Sequence, residues 1–201
     1  MTTIQLLILL ILVLSPATAL GQAYCSLREP VRAMQNSFPD FANYRSIVRE
    51  VDATDRANIL ETLPFTIHEN ELGTHTLYMV FADNDELMGI VHVRTERSRW
   101  GLTEIAWSFN SDLEIVGMHF QRSRDRNRKY IESEAFQKEI RGKNFDELRA
   151  LLTKDGKAIN EAVLVIPSEG QELALNVIRS ALKTISATQS VWNDSLSVAN
   201  R

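Results

Sequence analysis

The sequence predicts an α+β fold: an antiparallel four-stranded meander with helices packed on one side, preceded by an N-terminal signal or anchor helix. Three observations carry this expectation. Between Thr76 and Gln121 apolar residues alternate with polar ones, and the runs are separated by short turn sequences. From Tyr130 onward the apolar period lengthens to near 3.6 residues, the period of a helix with one buried face. Neither an internal repeat nor a linker rich in Pro, Gly or Ser divides the 201 residues.

Composition sets the outer limits. With 44% hydrophobic residues, 8 Gly and 5 Pro, the chain can bury a sizeable core, and collagen-like or disordered readings are excluded. The formal net charge of −4 argues against nucleic-acid binding through bulk charge. A lone cysteine, Cys25, excludes a disulfide framework and any multi-cysteine zinc or iron–sulfur site.

The N-terminus bears on compartment. No Lys, Arg, Asp or Glu precedes Arg28, and Ile4 to Leu14 is apolar apart from Gln5. Ser15-Pro16 follows, then small-residue pairs at Ala17 and Ala19, Ala19 and Gly21, and Gly21 and Ala23. Each pair suits the cleavage site of a signal peptide, which would leave a chain beginning near Gln22. Uncleaved, Ile4 to Ala23 is long enough to cross a bilayer as a helix. Residues 1–23 are thus expected to be a signal peptide or membrane anchor, and the protein periplasmic or otherwise extracytoplasmic. Cys25 reads as a small hydrophobe beside Leu27 and Val31; an intermolecular disulfide and a thiol meeting a redox partner are the alternatives.

Residues 24–75 form a helical and extended segment. Arg28 to Asn36 reads as a short helix with Pro30 in its first turn and an apolar stripe of Val31, Met34 and Phe38. Tyr44 to Val51 has the spacing of a strand or a short helix. Asp55 is placed to cap a helix carrying Ile59, Leu60 and Leu63, which Pro64 ends.

The domain proper is expected at 76–186. Its strands are Thr76–Ala82, Leu87–Thr95, Trp100–Phe109 and Leu113–Gln121, with turns at Asp83-Asn84-Asp85 and Asn110-Ser111-Asp112. In the second strand Leu87, Gly89, Val91 and Val93 share one face, and Met88, Ile90, His92 and Arg94 the other. Tyr130 to Ile140 reads as one helix ended by Gly142, and Asn144 caps the next, with Phe145, Leu148, Leu151 and Leu152 inside. Ala162 to Ile166 is a short β-rich run stopped by Pro167. Ser168 opens a long helix bearing Leu173, Val177, Ile178, Ala181, Leu182 and Ile185, and a polar tail is expected over 187–201.

Two pieces carry a resemblance. Leu113-Glu114-Ile115-Val116-Gly117 is a strand ending in Ile-x-Gly, and Phe136-Gln137-Lys138-Glu139-Ile140-Arg141-Gly142-Lys143 is a helix end running into Gly-Lys. Together with Asp85 to Val91, they resemble the FMN-binding domain family of flavin-carrying subunits in membrane electron-transport complexes. The similar stretch runs from about Leu77 to Leu182. Where that family carries Glu-Thr-Pro-Gly, this chain has Arg122-Ser123-Arg124-Asp125-Arg126-Asn127-Arg128. Where the family carries the threonine that bonds FMN, this chain reads Ile166-Pro167-Ser168-Glu169-Gly170-Gln171. The resemblance therefore implies FMN held without a covalent bond, or absent. Its implied cofactor-binding residues are Arg122, Arg124, Arg126, Trp100, Ser168 and Gly170.

The same residues have plainer readings. Ser168 suits an ordinary N-cap, although a helix start also offers free N–H groups to a phosphate. Arg122, Arg124, Arg126 and Arg128 form either a solvated loop face or a site for an anionic ligand or acidic partner, to which Arg94, Arg97 and Arg99 would add. Glu96, Asp125, Glu132 and Glu134 are their local counter-charges. Trp100 and Trp107 fall at odd spacing, so one can be core and the other near the surface. His68, His75, His92 and His119 lack metal-ligand spacing; His92 and His119 would meet only if their strands were neighbours. No residue constellation of a hydrolase or metalloenzyme is present. The resemblance implies an exported electron carrier or accessory protein serving membrane-associated electron transfer, with a membrane redox complex or envelope protein as partner. The alternative is a cofactor-free docking or structural module.

Overall fold

The computed structural model describes residues 28–68, 71 and 73–199. The expected signal or anchor segment, its cleavage region and Cys25 lie outside the described residues. The elements run α1 (Val31–Ser37), β1 (Asn43–Val51), α2 (Ala53–Thr62), β2 (Gly73–Phe81), β3 (Leu87–Ser98), β4 (Gly101–Phe109), β5 (Ile115–Arg122), α3 (Arg128–Ile131), α4 (Glu134–Ile140), α5 (Phe145–Ala150) and α6 (Ser168–Ala199).

The strands form one sheet in the order β1-β2-β3-β4-β5, every neighbouring pair antiparallel. This is the expected meander with a fifth strand added at its edge. Tyr44 to Val51, whose spacing fitted a strand or a short helix, pairs with β2 from Asn43 opposite Phe81 to Val51 opposite Gly73. As an edge strand it keeps little of the period-two signal; Val48 is 60% exposed.

Helices cover both faces of the sheet, a correction to the expected one-sided packing. On one face Leu173, Val177, Ala181 and Ile185 of α6 join Leu77, Ile90, Ile105 and Trp107 in the main core. On the other, Ala33 and Met34 of α1 and Phe38 just after it pack against Tyr78, Val80, Val91, Val93 and Ala106. The short stripe on α1 had no visible target in the sequence, because its partners are the reverse sides of strands that already bury one face.

The face assignment for β3 holds from Gly89 onward and inverts before it. The ladder shifts between Val80 and Phe81, where Phe81 pairs with Leu87, so Leu87 packs on the main core and Met88 on the α1 side. Gly89 sits at this irregularity with φ +159, and a Cβ there would lie 2.4 Å from the Phe109 carbonyl oxygen and 2.5 Å from the Phe38 ring.

Helix boundaries differ from expectation in identifiable ways. The cap of α2 is Asp52, whose side chain accepts from Thr54 and Asp55 N–H, while Asp55 returns a bond to the Asp52 N–H. The expected helix over Tyr130–Ile140 is broken at Ser133, whose hydroxyl accepts the Phe136 N–H at 3.3 Å and restarts the chain as α4. Asn144 caps α5 in a reciprocal pair with Glu147, as its sequence suggests. Residues 162–166 form a turn and an irregular extended segment rather than a strand, with Leu164 and Ile166 buried and Val165 88% exposed.

The largest departure is at the C-terminus. Instead of giving way to a polar tail, α6 continues to Ala199, with Ala187, Val191, Trp192 and Leu196 buried. What holds it is β1: Arg49 binds the Asp194 carboxylate at 2.7 and 3.0 Å, and the Trp192 indole donates to the Ile47 carbonyl at 3.3 Å.

Candidate functional site

The β3–β4 hairpin turns through Arg99 and Trp100, between the paired residues Ser98 and Gly101. A two-residue loop pushes its side chains outward, and Trp100 and Leu102 remain 43% and 45% exposed. Leu102 pairs with Arg97, so the two share a face of the ribbon. The 122–128 loop folds against this turn. Arg122 lies opposite Glu104, the Ser123 hydroxyl meets the Thr103 hydroxyl at 3.2 Å, and the Arg126 guanidinium sits 5.1 Å above the Trp100 ring.

Asp125 explains the shape of the loop. Its carboxylate is buried and accepts the Asn127 N–H at 2.9 Å, so it is spent on the backbone rather than on the arginines. Arg122, Arg124, Arg126 and Arg128 are all exposed, as are Arg97, Arg99 and Lys129. Of these, Arg128 pairs with Glu132 at 3.5 Å, whereas Arg97, Arg99, Arg122 and Arg124 hold no ion pair among the described residues. Further on, α3 abuts the start of α6: a Cβ on Gly170 would lie 3.0 Å from Tyr130 and Ile166. At the other side of the turn, the Asn176 amide reaches the Arg97 carbonyl at 3.4 Å. All six residues implied by the resemblance therefore gather at one end of the sheet and the first turns of α6.

They do not make a flavin cradle. Gly170 is filled in by Tyr130 and Ile166, and the Ser168 hydroxyl donates to Glu169 at 3.1 Å. That carboxyl is lowered by bonds from its own N–H and from Ser168, with Lys129 adding to the effect, so a negative group already stands where a phosphate would approach. The nearby groove of about 590 Å³ between α4 and the 163–167 segment is lined by Phe136, Val163, Val165, Ile166 and Pro167, with none of the six residues in it. A second cleft, beside Met118, His119 and Glu132, excludes them as well.

Arg94 does not belong to the exposed patch, and Glu96 does not offset the exposed arginines. Both point from β3 under α6 into a buried group of four charges that sequence reading missed. The Lys183 ammonium donates to Glu71 at 2.8 Å and to Glu96, and Arg94 donates to Glu71 at 3.0 Å with Glu96 3.6 Å away. Two carboxylates and two cations balance, as burial requires. Burial pushes the Glu71 carboxyl up, but Lys183 and Arg94 outweigh it and hold it at about 2.

Two histidines flank the group. His75 donates from Nε2 to the Glu71 carbonyl at 3.1 Å, and its ring lies 5.9 Å from that of His92. His92 meets the Thr188 hydroxyl at 3.2 Å and packs 5.2 Å from Trp192. His92 and His119, which could meet only if their strands were neighbours, lie apart because β4 separates β3 from β5. Burial, then the Arg94 charge, lowers His75 to about 4, and burial holds His92 well below its ordinary value. The space beside Glu71, Arg94 and Lys183 is about 10 Å³, too small for a substrate. Its chemistry is to pin α6 to the sheet. The available signal was Lys183 within an otherwise apolar stripe.

Fold and site together define an α+β protein with a charge-balanced interior and an arginine-rich, partly apolar end. The chain matches no family model, and neither a curated protein nor a solved structure is similar to it. The resemblance to the FMN-binding family thus rests on the quoted residues alone.

Proposed function

We propose that this protein is a cofactor-free extracytoplasmic docking module whose working surface is the arginine-rich end. One observation carries the reading: a chain of net charge −4 exposes the guanidiniums of Arg97, Arg99, Arg122 and Arg124 around the exposed Trp100, without ion pairs among the described residues. Clustered arginine against an acidic whole favours an anionic partner approaching from one direction. Trp and Arg are also the residue types that dominate binding energy where a patch is desolvated. The extracytoplasmic location comes from the apolar run at Ile4–Leu14 and the small residues after it.

The test is retention of the full chain on a carboxymethyl surface at pH 7. Despite its net charge the protein is expected to bind at low salt and elute as salt rises, and Arg122→Gln/Arg124→Gln/Arg126→Gln to flow through. Flow-through of the unsubstituted protein would end this reading. Its visible spectrum, before and after acid precipitation, tests the electron-transfer alternative. Flavin bands in the purified protein would replace docking with FMN-dependent electron carriage, held covalently if the colour stays in the pellet.

A further inference from the structure

We infer that the partner of the arginine-rich end is the anionic phospholipid surface of a membrane, met by the tip of the β3–β4 hairpin. This rests on the docking reading and names its occupant.

Shape is the first argument. The arginine-rich end is built on the tip of a hairpin, the two-residue turn Arg99-Trp100, and neither the groove beside Phe136 nor the cleft beside His119 is lined by its residues. A bilayer surface receives a hairpin tip without a complementary pocket. The second argument is the arrangement of chemistry on that tip. Trp100 and Leu102 are the exposed apolar groups, and Arg97, Arg99, Arg122, Arg124 and Arg126 surround them. An indole takes its place at the headgroup level, with its apolar body inward and its N–H toward water. Guanidinium groups reach phosphodiesters bidentately, and here arginine greatly outnumbers lysine. The third argument is charge. Because the whole chain is acidic, an anionic surface attracts this end and repels the remainder, which fixes orientation as well as binding.

Tryptophan fluorescence isolates the tip. The chain has three tryptophans, and Trp107 and Trp192 are fully buried, so a change in solvent contact on binding is reported by Trp100. The apolar run at Ile4–Leu14 contains no tryptophan and is silent in this signal. The full chain is titrated with phosphatidylglycerol–phosphatidylcholine vesicles and with pure phosphatidylcholine vesicles, at low and high salt. The expected result is a blue shift and protection from acrylamide with the anionic vesicles alone, lost at high salt. Glycerol phosphate in solution is expected to leave emission unchanged.

Each neutralised arginine is expected to weaken vesicle partition about fivefold, so the Arg122/Arg124/Arg126 triple glutamine variant loses about a hundredfold. Trp100→Phe with Leu102→Ser is expected to keep the salt-sensitive retention on carboxymethyl but lose most of the anionic-lipid-dependent binding, read as the excess co-sedimentation with phosphatidylglycerol–phosphatidylcholine over pure phosphatidylcholine vesicles. Retention on carboxymethyl without any anionic-vesicle shift would overturn the lipid inference, leaving an acidic protein as the partner. Loss of both would overturn the docking reading with it. Equal shifts with neutral and anionic vesicles would also overturn the inference, since arginine would then play no part.

Discussion

Lys183 lies on the buried stripe of α6, beside the fully buried Leu182 and Ile185, yet its ammonium is shared by Glu71 and Glu96. Replacing it with methionine keeps the stem and leaves two buried carboxylates facing Arg94 alone. Removing one member of such a group strands the others without solvent, so Lys183→Met is expected to cost about 3–5 kcal/mol in urea unfolding. Arg124→Gln, on the exposed loop, is expected to stay within about 0.5 kcal/mol of the parent. A Lys183→Met midpoint equal to that of Arg124→Gln would show that the four charges do not hold α6 down. The residues of this group were in plain view, but their roles were hidden by alternation itself. His92, Arg94 and Glu96 occupy every second position of β3, a pattern that reads as a solvated face beside Val91 and Val93. Both faces are in fact covered, and the polar face owes its burial to α6, which begins 70 residues after Ser98.

Elements defined by local chemistry were legible, and those defined by distant partners were not. The turns at 83–85 and 110–112 follow from Asp and Asn satisfying their own backbone: Asn84 accepts the Glu86 N–H, and Asn110 the N–H groups of Asp112 and Glu114. The Asn144 cap needed only Glu147. By contrast, β1 became a strand through its ladder to β2, and the last turns of α6 stay helical because β1 lies beneath them. Each of these two elements supplies what the other lacks: an edge strand gains Trp192 and Asp194, and a polar helix end gains the Ile47 carbonyl and Arg49. Trp192 is fully buried at the centre of this exchange. Trp192→Ala is expected to cost about 3–5 kcal/mol and to expose the chain after Ser186 to limited proteolysis before the rest unfolds. Uniform proteolysis, with no early cut in that region, would mean that β1 and the end of α6 do not form a unit. The candidate site divides the same way: the arginine run was readable, whereas its assembly with the Trp100 turn depended on β3, β4 and β5 lying side by side.

Over the whole molecule, the arginines beside Trp100 are exposed at one end of the sheet while the charges under α6 are buried and balanced, and acid acts on the interior first. His75 is faced by the Glu71 carbonyl, the Arg94 guanidinium and the His92 ring. Burial followed by Arg94 lowers it from 6.5 to about 4, and His92 is lowered further by burial, His75 and Arg94. An unfolded chain takes up these protons near pH 6.5, whereas the folded protein resists until about pH 4. The unfolded state therefore binds more protons in that window, and stability must fall as pH drops through it. His75 alone accounts for about 3 kcal/mol by pH 4, at about 1.4 kcal/mol per pH unit. Glu71 acts later with the same sign: its carboxylate form is stabilised by Lys183 and Arg94, a contribution intact above about 4.5 and lost toward 2. Urea midpoints are thus expected to be level above about pH 7, to decline from 6.5, and to decline more steeply below 4.5 as the two stages overlap. His75→Gln, which keeps a donor for the Glu71 carbonyl without a titrating ring, is expected to reduce the slope of the upper stage to the part His92 contributes and to leave the lower stage unchanged. The slope is the readout, so an overall loss of stability in the variant does not obscure it. An unsubstituted protein whose midpoint is constant from pH 7 to 5 would mean that the buried histidines take up protons without cost, and that the space around His75 opens in the native state.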